Sequence, residues 1–558
     1  MRLDKLTIGS ANESPTHQFK NLKNVTIDFD QDHWVTVVIG WNGTGKSNVL
    51  EALAIIFRDL IAKKRVPAFA FQLAYRMGSG DTLRLIHIDA DPDRAKDHFI
   101  IYVADARQAQ AVNNVLELDS SDAKPMGQPI KLTTFLNGDA DYLPRYVFSY
   151  YSGESSRMHE VFRPYLESYD GKLRNGEDPG LKRLFYAMPV HSQFVLLAFL
   201  IQQSDVVRSF LDDHLGLDPD EGIESVLFVL RQPPWKSKAA DGDPRFWNAR
   251  GIVKDFLSRL YDIALAPIEV NRQVSTSIWN KTTLQFKYLY VKDIDALRRL
   301  VGNQAPGQLF RDLESTYVSE LIEEVRIRVR LKKNDGSVTF RELSEGEQQL
   351  LTVLGLLRFT AEDESLFLLD EPDTHLNPRW CVDYLNYLKS FVGQNTDGQD
   401  NSHIVLTTHN PLAIAELVKE QVQILYRQAG TRTVRAENPA MDPKGMGFSG
   451  IVTSDMFGLG SSLDKATNDD LLAMHQLSTQ ATLSDVDREN LVEIRKRLEG
   501  LDFNFASRDR LEQEYLRARF DLAADASIDG AIVTPENKQK ALDALVQSLL
   551  RNLQEGQG

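Results

Sequence analysis

This chain of 558 residues has little cysteine and no long apolar run. Cys381 is its only cysteine, which excludes an intramolecular disulfide and a zinc site built from cysteines. The longest strongly apolar stretch, FVLLAFLI at residues 194–201, is too short to cross a bilayer. The N-terminus lacks the basic and then apolar pattern of a signal peptide. Together these absences predict a cytoplasmic protein with no membrane contact.

Positive charge is also scarce. Lys and Arg number 64 against 79 Asp and Glu, so the formal net charge is −15. Net charge therefore does not attract this chain to nucleic acid, and any such contact requires a local basic patch. Hydrophobic residues make up 42% and charged residues 26%, a composition that can build a sizeable core. The length suits roughly three to four domains.

The order of apolar patterns predicts an α/β architecture. WVTVVIG at residues 34–40 is apolar enough for a strand buried on both faces, and a glycine-rich turn and an amphipathic helix follow it. FAFQLAYRM, TLRLIHIDA and HFIIYVA predict an antiparallel side sheet, and residues 325–340 predict a hairpin. The predicted domains are two halves of one head at 1–160 and 311–430, an inserted helical domain at 161–310 and a mostly helical region at 431–558.

The sequence GWNGTGKS at residues 40–47 matches the phosphate-binding pattern G-x-x-x-x-G-K-[ST], after a strand and before a helix. Glycines let backbone N–H groups wrap phosphates, and the helix N-terminus adds a positive dipole end. Lys46 is predicted to reach the outer phosphates, and the Ser47 hydroxyl to contact Mg²⁺. The predicted nucleotide-binding residues in this segment are Asn42, Gly43, Thr44, Gly45, Lys46, Ser47 and Asn48.

A second motif follows the apolar run SLFLLD, which continues as EPDTHLNP. Asp370, at the end of this predicted strand, is expected to hold Mg²⁺ together with Ser47. Glu371 is expected to polarise the attacking water as general base. An ordinary acidic loop after a core strand is the alternative, which the phosphate-binding loop makes the weaker interpretation.

Two further motifs are less specific. LSEGEQ at residues 343–348 opens a helix, where Ser344, Gly346 and Glu347 can bind a phosphate through backbone donors and the helix dipole. Ser344 and Glu347 also fit a capping box, and both interpretations can hold together. The strand HIVLTTH ends at His409, which can contact a γ-phosphate, although a plain loop histidine is the commoner role of such a residue.

The order and spacing of the four motifs resemble those of ABC-type ATPases of the SMC-like and OLD-like branch. The resemblance implies a P-loop NTPase fold with an antiparallel β side sheet, and ATP and Mg²⁺ as ligands. It also implies a head-to-tail homodimer, in which each ATP lies between one chain's Walker A motif and the other's signature. It assigns Lys46 and Ser47 to Walker A, Ser344 and Gly346 to the signature, Asp370 and Glu371 to Walker B, and His409 to the switch histidine.

One family feature has no match in the sequence. The Q-loop glutamine should follow the strand that ends near Tyr150 and Tyr151, but the chain continues there as SGESSR. Glu154 or a serine of this run is the expected substitute. Gln72 is a poor one, because it lies inside an apparent strand.

The overall layout resembles stand-alone ATPases of bacterial anti-phage defence, of the Septu group. That resemblance implies a nucleotide-gated regulatory ATPase with slow turnover, which controls a separate HNH-type nuclease and docks it through the C-terminal region. The homodimer is then a minimum, and a higher oligomer stays open. Long heptads, which an SMC arm would need, are absent.

Two alternatives stay open. A DNA-repair ATPase that binds DNA directly could use the basic residues that alternate between Arg326 and Lys332, although a solvated strand face is the favoured interpretation of that pattern. An OLD-like nuclease in one chain would need metal-binding carboxylates. Asp485 and Asp487 are the candidates, but they lie in a polar helical stretch.

Overall fold

Three β-sheets organise the part of the chain that the computed structural model describes. That part is residues 1–501 without 31, 107–126, 154–155, 202, 219, 221, 276–280, 303, 333–336, 361–363, 393–401, 429, 432, 460 and 479–483. It falls into two compact units, Met1–Gly458 and a second that begins at Leu459.

Strands and helices are interspersed along the first unit, and two helices, at residues 465–478 and 485–500, belong to the second. The strands are β1 (Arg2–Ile8), β2 (Val25–Asp28), β3 (Val35–Gly40), β4 (Phe71–Met77), β5 (Arg84–Ala90), β6 (Phe99–Ala104), β7 (Gln128–Ile130), β8 (Tyr146–Tyr151), β9 (Leu184–Tyr186), β10 (Ile223–Arg231), β11 (Leu265–Ser275), β12 (Lys281–Val291), β13 (Ile322–Arg330), β14 (Ser337–Thr339), β15 (Ser365–Asp370), β16 (Ser402–Thr407), β17 (Val422–Arg427) and β18 (Val434–Glu437). The helices are α1 (Lys46–Ile61), α2 (Leu132–Asn137), α3 (Asp139–Tyr142), α4 (Arg157–Arg174), α5 (Pro189–Ile201), α6 (Asp205–Ser209), α7 (Gly251–Ile263), α8 (Ile294–Val301), α9 (Pro306–Val318), α10 (Glu345–Thr360), α11 (Pro378–Val392), α12 (Gly447–Thr453), α13 (Lys465–Ser478) and α14 (Asp485–Gly500).

The central sheet has the strand order β18-β17-β3-β16-β15-β8-β9. The pairs from β17 to β9 are parallel, and β18 runs antiparallel at one edge. The register aligns Asp370 with Thr407 on one side and with Tyr151 on the other. The carboxyl ends of β3, β16 and β15 therefore lie next to one another, at the edge where open α/β sheets bind ligands.

Apolar side chains cover both faces of the central sheet. Along β3, Val35, Val37 and Ile39 belong to one core cluster and Val38 to the other, because successive side chains point to opposite faces. The cluster around Val38 also contains residues of α1 and of the side sheet, and the other contains residues of α5, α9 and α10. The first unit is thus layered around a mostly parallel sheet whose inner strands β3, β16 and β15 are buried, as their apolar sequences predict.

The side sheet has the order β2-β1-β4-β5-β6-β7, with every neighbouring pair antiparallel. It contains the three runs from which an antiparallel sheet was predicted, as β4, β5 and β6. The strand expected to end near Tyr150 and Tyr151 is present as β8, which lies beside β15 in the central sheet. These predictions are confirmed.

The segment at 161–310, predicted to be helical, is only partly so. It contains helices, but also β10, β11 and β12, which join β13 and β14 in an antiparallel sheet of order β11-β12-β10-β13-β14. The run KTTLQFKYLYV of β12 has the alternating pattern and the β-branched residues of a strand. The prediction followed the helical patterns on either side instead. The purely helical interpretation of this segment is therefore wrong, while the division into domains at 160, 310 and 430 stays a prediction.

The hairpin predicted at 325–340 is present as β13 and β14, and its turn at 334–336 lies outside the described residues. The basic residues of β13 alternate with buried ones and are exposed on one face. Within this stripe, Arg326 donates to Glu324 at 2.8 Å, and Lys332 beyond it donates to Asp212 at 2.6 Å. Part of the positive charge is therefore neutralised inside the chain.

The C-terminal region begins inside the first unit and continues in the second. β18 extends the central sheet, and α12 follows it before Gly458. In the second unit, α13 and α14 are joined by an ion pair between Arg497 and Asp470 at 2.6 Å. Asp487 accepts hydrogen bonds from the hydroxyl and backbone N–H of Ser484 and so caps α14, the role of a helix-start carboxylate. Residues from 502 onward and the side chain of Asp485 lie outside the described part.

Among the described residues, no single helix has the length and apolar character needed to cross a membrane. Two consecutive helical segments, Pro189–Ile201 and Asp205–His214, reach the required length and apolar composition only when they are taken together. A bend of 116° separates them.

Candidate nucleotide site

The phosphate-binding loop joins the end of β3 to the start of α1 and requires glycine for its shape. Gly40, Gly43 and Gly45 have φ values of 145°, 79° and 103°, which side-chain-bearing residues rarely adopt. A Cβ at Gly40 would lie 2.3 Å from the carbonyl oxygen of Leu425 on β17. The glycines of the motif therefore permit the observed backbone conformation of the loop, in addition to the predicted close approach of phosphate.

Side chains from outside the motif brace this loop. Asn21, in the β1–β2 connection, donates to the Gly43 carbonyl at 3.1 Å, and Arg427 at the end of β17 donates to the same oxygen at 2.9 Å. Asn48, predicted to bind nucleotide, donates to Asn21 at 2.6 Å. Sequence reasoning missed Asn21 and Arg427, because neither belongs to a motif and both reach the loop only through the fold.

Lys46 closes back over the loop. Its Nζ donates to the carbonyl oxygen of Gly40 at 2.8 Å. Burial lowers the pKa of Lys46, while the nearby carboxylates of Glu371 and Asp370 act in the opposite direction. The Lys46 ammonium is therefore bound to the loop and interacts electrostatically with both acidic residues of the second motif, as expected for the lysine that contacts the outer phosphates.

Ser47 and Asp370 meet at the predicted metal position. The Ser47 hydroxyl donates to Asp370 Oδ1 at 3.0 Å, and the Thr407 hydroxyl donates to the same oxygen at 2.5 Å. Asp370 is only 1% exposed; its burial raises the pKa of the carboxyl, and the hydrogen bonds from Thr407 and Ser47 oppose that rise. A hydroxyl and a carboxylate in contact supply the hard oxygen donors that Mg²⁺ prefers, so these residues fit that ion.

Glu371 pairs with His409 across the ends of β15 and β16. His409 Nε2 lies 2.9 Å from Glu371 Oε1, and both side chains are partly exposed. The Glu371 backbone has φ 53°, rare for a residue with a side chain, and its N–H donates to the carbonyl oxygen and the hydroxyl of Thr407. The hydrogen bond from His409 holds the pKa of Glu371 below its ordinary value, which favours the ionised carboxylate.

Arg157 occupies the region where the Q-loop glutamine was sought. This first residue of α4 lies 3.3 Å from Asp370 Oδ2 through Nη2, and its guanidinium lies over the ring of Tyr151 at 5.3 Å. Glu154, the predicted substitute, lies outside the described residues, and Gln72 is exposed on the side sheet. The sequence does contain a signal for Arg157, because it is the one basic residue in SGESSR and so the one residue there that could pair with a carboxylate.

Replacing Arg157 with Gln should move the acid limb of kcat/KM for ATP hydrolysis to higher pH. The Arg157 charge acts against the rise in the pKa of Asp370 that burial causes, so its removal leaves that pKa higher. Loss of this charge-assisted contact should also lower kcat/KM at neutral pH by on the order of 10-fold. Arg163→Gln is the matched control, because Arg163 lies on the same helix in an exposed ion pair. An identical pH profile in both variants would contradict the proposed effect of Arg157 on Asp370.

The signature residues form the start of α10. Ser344 donates from its hydroxyl and its backbone N–H to Glu347 Oε2 at 2.8 and 2.7 Å, and the Glu347 N–H donates to the Ser344 hydroxyl at 3.3 Å. This is the capping box that the sequence predicts. The interpretation as a phosphate site is compatible with it, because the remaining N–H groups of the first turn stay available to a ligand.

This helix start is docked on the segment that follows Glu371. A Cβ at Gly346 would lie 2.6 Å from the carbonyl oxygen of His375, so only glycine permits the observed approach. Glu345 pairs with His375 at 3.2 Å, and Gln349 donates to the carbonyl oxygen of Pro372. The signature is therefore mechanically linked, within one chain, to the residues after the predicted general base.

Two family models match the chain: "AAA ATPase domain" over residues 17–134, which includes the phosphate-binding loop, and "AAA domain, putative AbiEii toxin, Type IV TA system" over residues 230–415, which includes the other three motifs. The chain carries an AAA-type ATPase fold. The predicted α/β P-loop fold with an antiparallel side sheet is confirmed.

Two curated relatives each match part of the chain. The Septu protein PtuA of Bacillus mycoides (strain KBAB4) is 24% identical over 169 residues, 28% of this chain and 23% of the relative. The "Retron Vc95 probable ATPase" of Vibrio cholerae serotype O1 biovar El Tor is 26% identical over 127 residues, 20% of this chain and 23% of the relative. The chain thus matches 23% of the length of each. The predicted resemblance to ATPases of the Septu group is confirmed.

Among solved structures, the SMC head domain from Thermotoga maritima aligns with this ATPase fold at 12% identity. The alignment covers 78% of this chain and 99% of that chain, with a TM-score of 0.30.

Proposed function

We propose that this chain binds and hydrolyses ATP with Mg²⁺, and that bound ATP joins two chains head to tail. The observation that carries the proposal is the convergence of the Walker motifs at one edge of the central sheet. There Ser47 contacts Asp370, while Glu371 pairs with His409. This arrangement matches the parts that phosphoryl transfer to water requires: a phosphate cradle, a metal position and a base.

Each residue then has a distinct task. Lys46 exchanges its contact with the Gly40 carbonyl for the outer phosphates of ATP. Ser47 and Asp370 hold Mg²⁺, which when bound neutralises charge on the phosphate oxygens. Glu371 accepts a proton from the attacking water, and His409 orients its carboxylate and can contact the γ-phosphate.

The docking of the signature helix supports nucleotide gating. The segment after Glu371 contacts Gly346 and Glu345, so a change at the hydrolytic residues can move the surface offered to a second chain. A ligand shifts such a two-state equilibrium only by binding one state better, which a γ-phosphate shared between two chains would do. Turnover is then expected to be slow, because the output is a conformation.

We further propose that the closed pair controls a separate nuclease in an anti-phage complex. The similarity to the Septu protein PtuA and to a retron ATPase supports a defence role. The C-terminal region from 431 is the proposed docking site, since it lies beyond the four motifs. Two basic residues of the stripe, Arg326 on β13 and Lys332 beyond it, form internal ion pairs, which favours control of a partner over direct DNA binding.

Mass measurement in solution tests the gating step. The Glu371→Gln protein should double in mass on addition of Mg²⁺ and ATP, because it retains the nucleotide that joins the chains. Ser344→Arg, added to the same variant, should keep ATP binding but stay at the lower mass, since a large side chain then blocks the signature surface. An unchanged mass of the Glu371→Gln protein with and without ATP would overturn the proposed ATP-dependent dimer. Equal dimerisation of the single and the double variant would also overturn it.

A further inference from the structure

A compact cluster of possible metal ligands lies at the end of the side sheet, apart from the four motifs in sequence. His17 ends a short 3-10 turn in the β1–β2 connection, and Asp91 and Asp93 lie in the β5–β6 connection. One ligand atom from each residue lies within 4.8 Å of the others. Residues far apart in sequence thus present one imidazole nitrogen and two carboxylate oxygens to the same point.

His17 is the buried member of the cluster and points into it. The residue is 5% exposed, and its Nδ1 contacts the Ser10 hydroxyl at 2.7 Å. Its Nε2 is buried and has no hydrogen-bond partner among the described residues. A buried polar atom of this kind calls for an explanation, because leaving it unsatisfied costs free energy.

The distances around Nε2 suit a metal ion better than a hydrogen bond. Nε2 lies 3.3 Å from Asp91 Oδ1 and 3.5 Å from Asp93 Oδ2. Hydrogen bonds from nitrogen to oxygen usually measure about 2.7–3.2 Å. Ligand atoms around a tetrahedral Zn²⁺, with bonds of about 2.0–2.2 Å, lie roughly 3.3–3.6 Å apart, as the geometry of a tetrahedron requires.

We propose that His17, Asp91 and Asp93 bind a divalent transition-metal ion, for which Zn²⁺ is the best match. One imidazole and two carboxylates form a mixed nitrogen and oxygen set, which suits Zn²⁺ better than the all-oxygen ions Mg²⁺ and Ca²⁺. The Asp93 side chain is 42% exposed, so an ion has a path from solvent and a fourth position for water.

A surrounding shell already orients the ligands. The contact of Ser10 with Nδ1 directs Nε2 toward the carboxylates, and Thr16 donates to Asp93 Oδ2 at 2.8 Å. Arg94 lies 3.7 Å from Asp91 Oδ2 and offsets part of the negative charge. Outer contacts of this kind fix the tautomer and orientation of metal ligands.

The site has a consequence for the phosphate-binding loop. The same β1–β2 connection continues to Lys20, which pairs with Glu51 of α1 at 2.5 Å, and to Asn21, which holds the Gly43 carbonyl. An ion that ties His17 to the β5–β6 connection would therefore order the segment that braces the nucleotide loop. The metal is structural here and takes no part in hydrolysis.

Calorimetric titration of nucleotide-free, chelator-treated full-length protein with Zn²⁺ tests the site. Wild type should bind one equivalent more than His17→Gln, and Asp93→Asn should bind that equivalent at least 10-fold more weakly. Metal content after gel filtration should agree, and Zn²⁺ should raise the melting temperature of wild type more than that of His17→Gln. Titration with Mg²⁺ in place of Zn²⁺ should give no such difference.

His33→Gln is the matched control, because His33 forms a comparable contact with a single carboxylate, that of Asp30. It should bind Zn²⁺ as wild type does. Equal stoichiometry and affinity in wild type and His17→Gln would overturn the proposal. So would the absence of Zn²⁺ binding by wild type, which would leave the cluster as a contact of His17 with its two aspartates and no metal.

Discussion

The Glu371→Gln variant is expected to bind ATP but to hydrolyse it about 10²–10⁴-fold more slowly than wild type, the usual contribution of a general base. Glutamine keeps the shape of the side chain and the contact with His409, but it cannot accept a proton from water. Wild-type Glu371 is suited to that role because His409 favours its ionised form and the backbone holds it at the edge of the sheet. Steady-state phosphate release, with ATP binding measured separately, checks the expectation.

Glu167→Gln is the control for this experiment, since Glu167 is an exposed glutamate on α4 in a surface ion pair with Arg163. It should keep wild-type rates. Wild-type turnover in Glu371→Gln would show that another group activates the water. Loss of ATP binding in that variant would instead assign Glu371 to nucleotide binding.

The Glu314→Gln variant is expected to lose about 3–5 kcal/mol of unfolding free energy, the cost of removing one partner from a buried ion pair. Glu314 on α9 accepts from Lys182 through Oε1 and contacts His191 Nε2 at 2.7 Å through Oε2. All three side chains are at most 1% exposed. A neutral amide would leave the buried Lys182 ammonium without its counter-charge, and chemical denaturation measures the loss.

The stability difference between wild type and Glu314→Gln should shrink in acid. Burial alone raises the pKa of Glu314, but Lys182 and then His191 bring it down to about 2 from an ordinary 4.5. Between these pH values the unfolded chain binds more protons than the folded one, so the unfolding free energy of wild type falls as pH falls. The Glu314→Gln variant has no carboxyl group at this position, so its unfolding free energy does not fall with pH for this reason.

Glu323→Gln is the matched control for the buried cluster. Glu323 is 39% exposed and pairs with Arg231 at 2.9 Å, so its replacement should cost under about 1 kcal/mol. A similarly small cost for Glu314→Gln would contradict the assignment of a stabilising buried cluster. If the difference in unfolding free energy between wild type and Glu314→Gln stayed constant down to pH 3, the lowered pKa of Glu314 would be contradicted.

The sequence by itself determined the parts of this protein that short segments encode. The strand, glycine turn and helix around Lys46 are contiguous, so their pattern predicts both local fold and phosphate chemistry. The same holds for Asp370 and Glu371 at the end of an apolar strand, for the capping box of Ser344, and for the strands of the side sheet. In each case the residues that define the feature lie within a few positions of one another.

Only the tertiary structure decided which distant residues meet. Arg157 reaches Asp370 because β8 pairs with β15, and Asn21 and Arg427 reach Gly43 because β1–β2 and β17 flank the loop. The sheet built on β10, β11 and β12 was missed because neighbouring helical patterns outweighed the strand signal of β12. Only the structure shows that β10 pairs with the distant strands β12 and β13. The buried partners of Glu314 and the cluster of His17 with Asp91 and Asp93 leave no local pattern, since side-chain contacts between remote segments depend on the fold that brings those segments together.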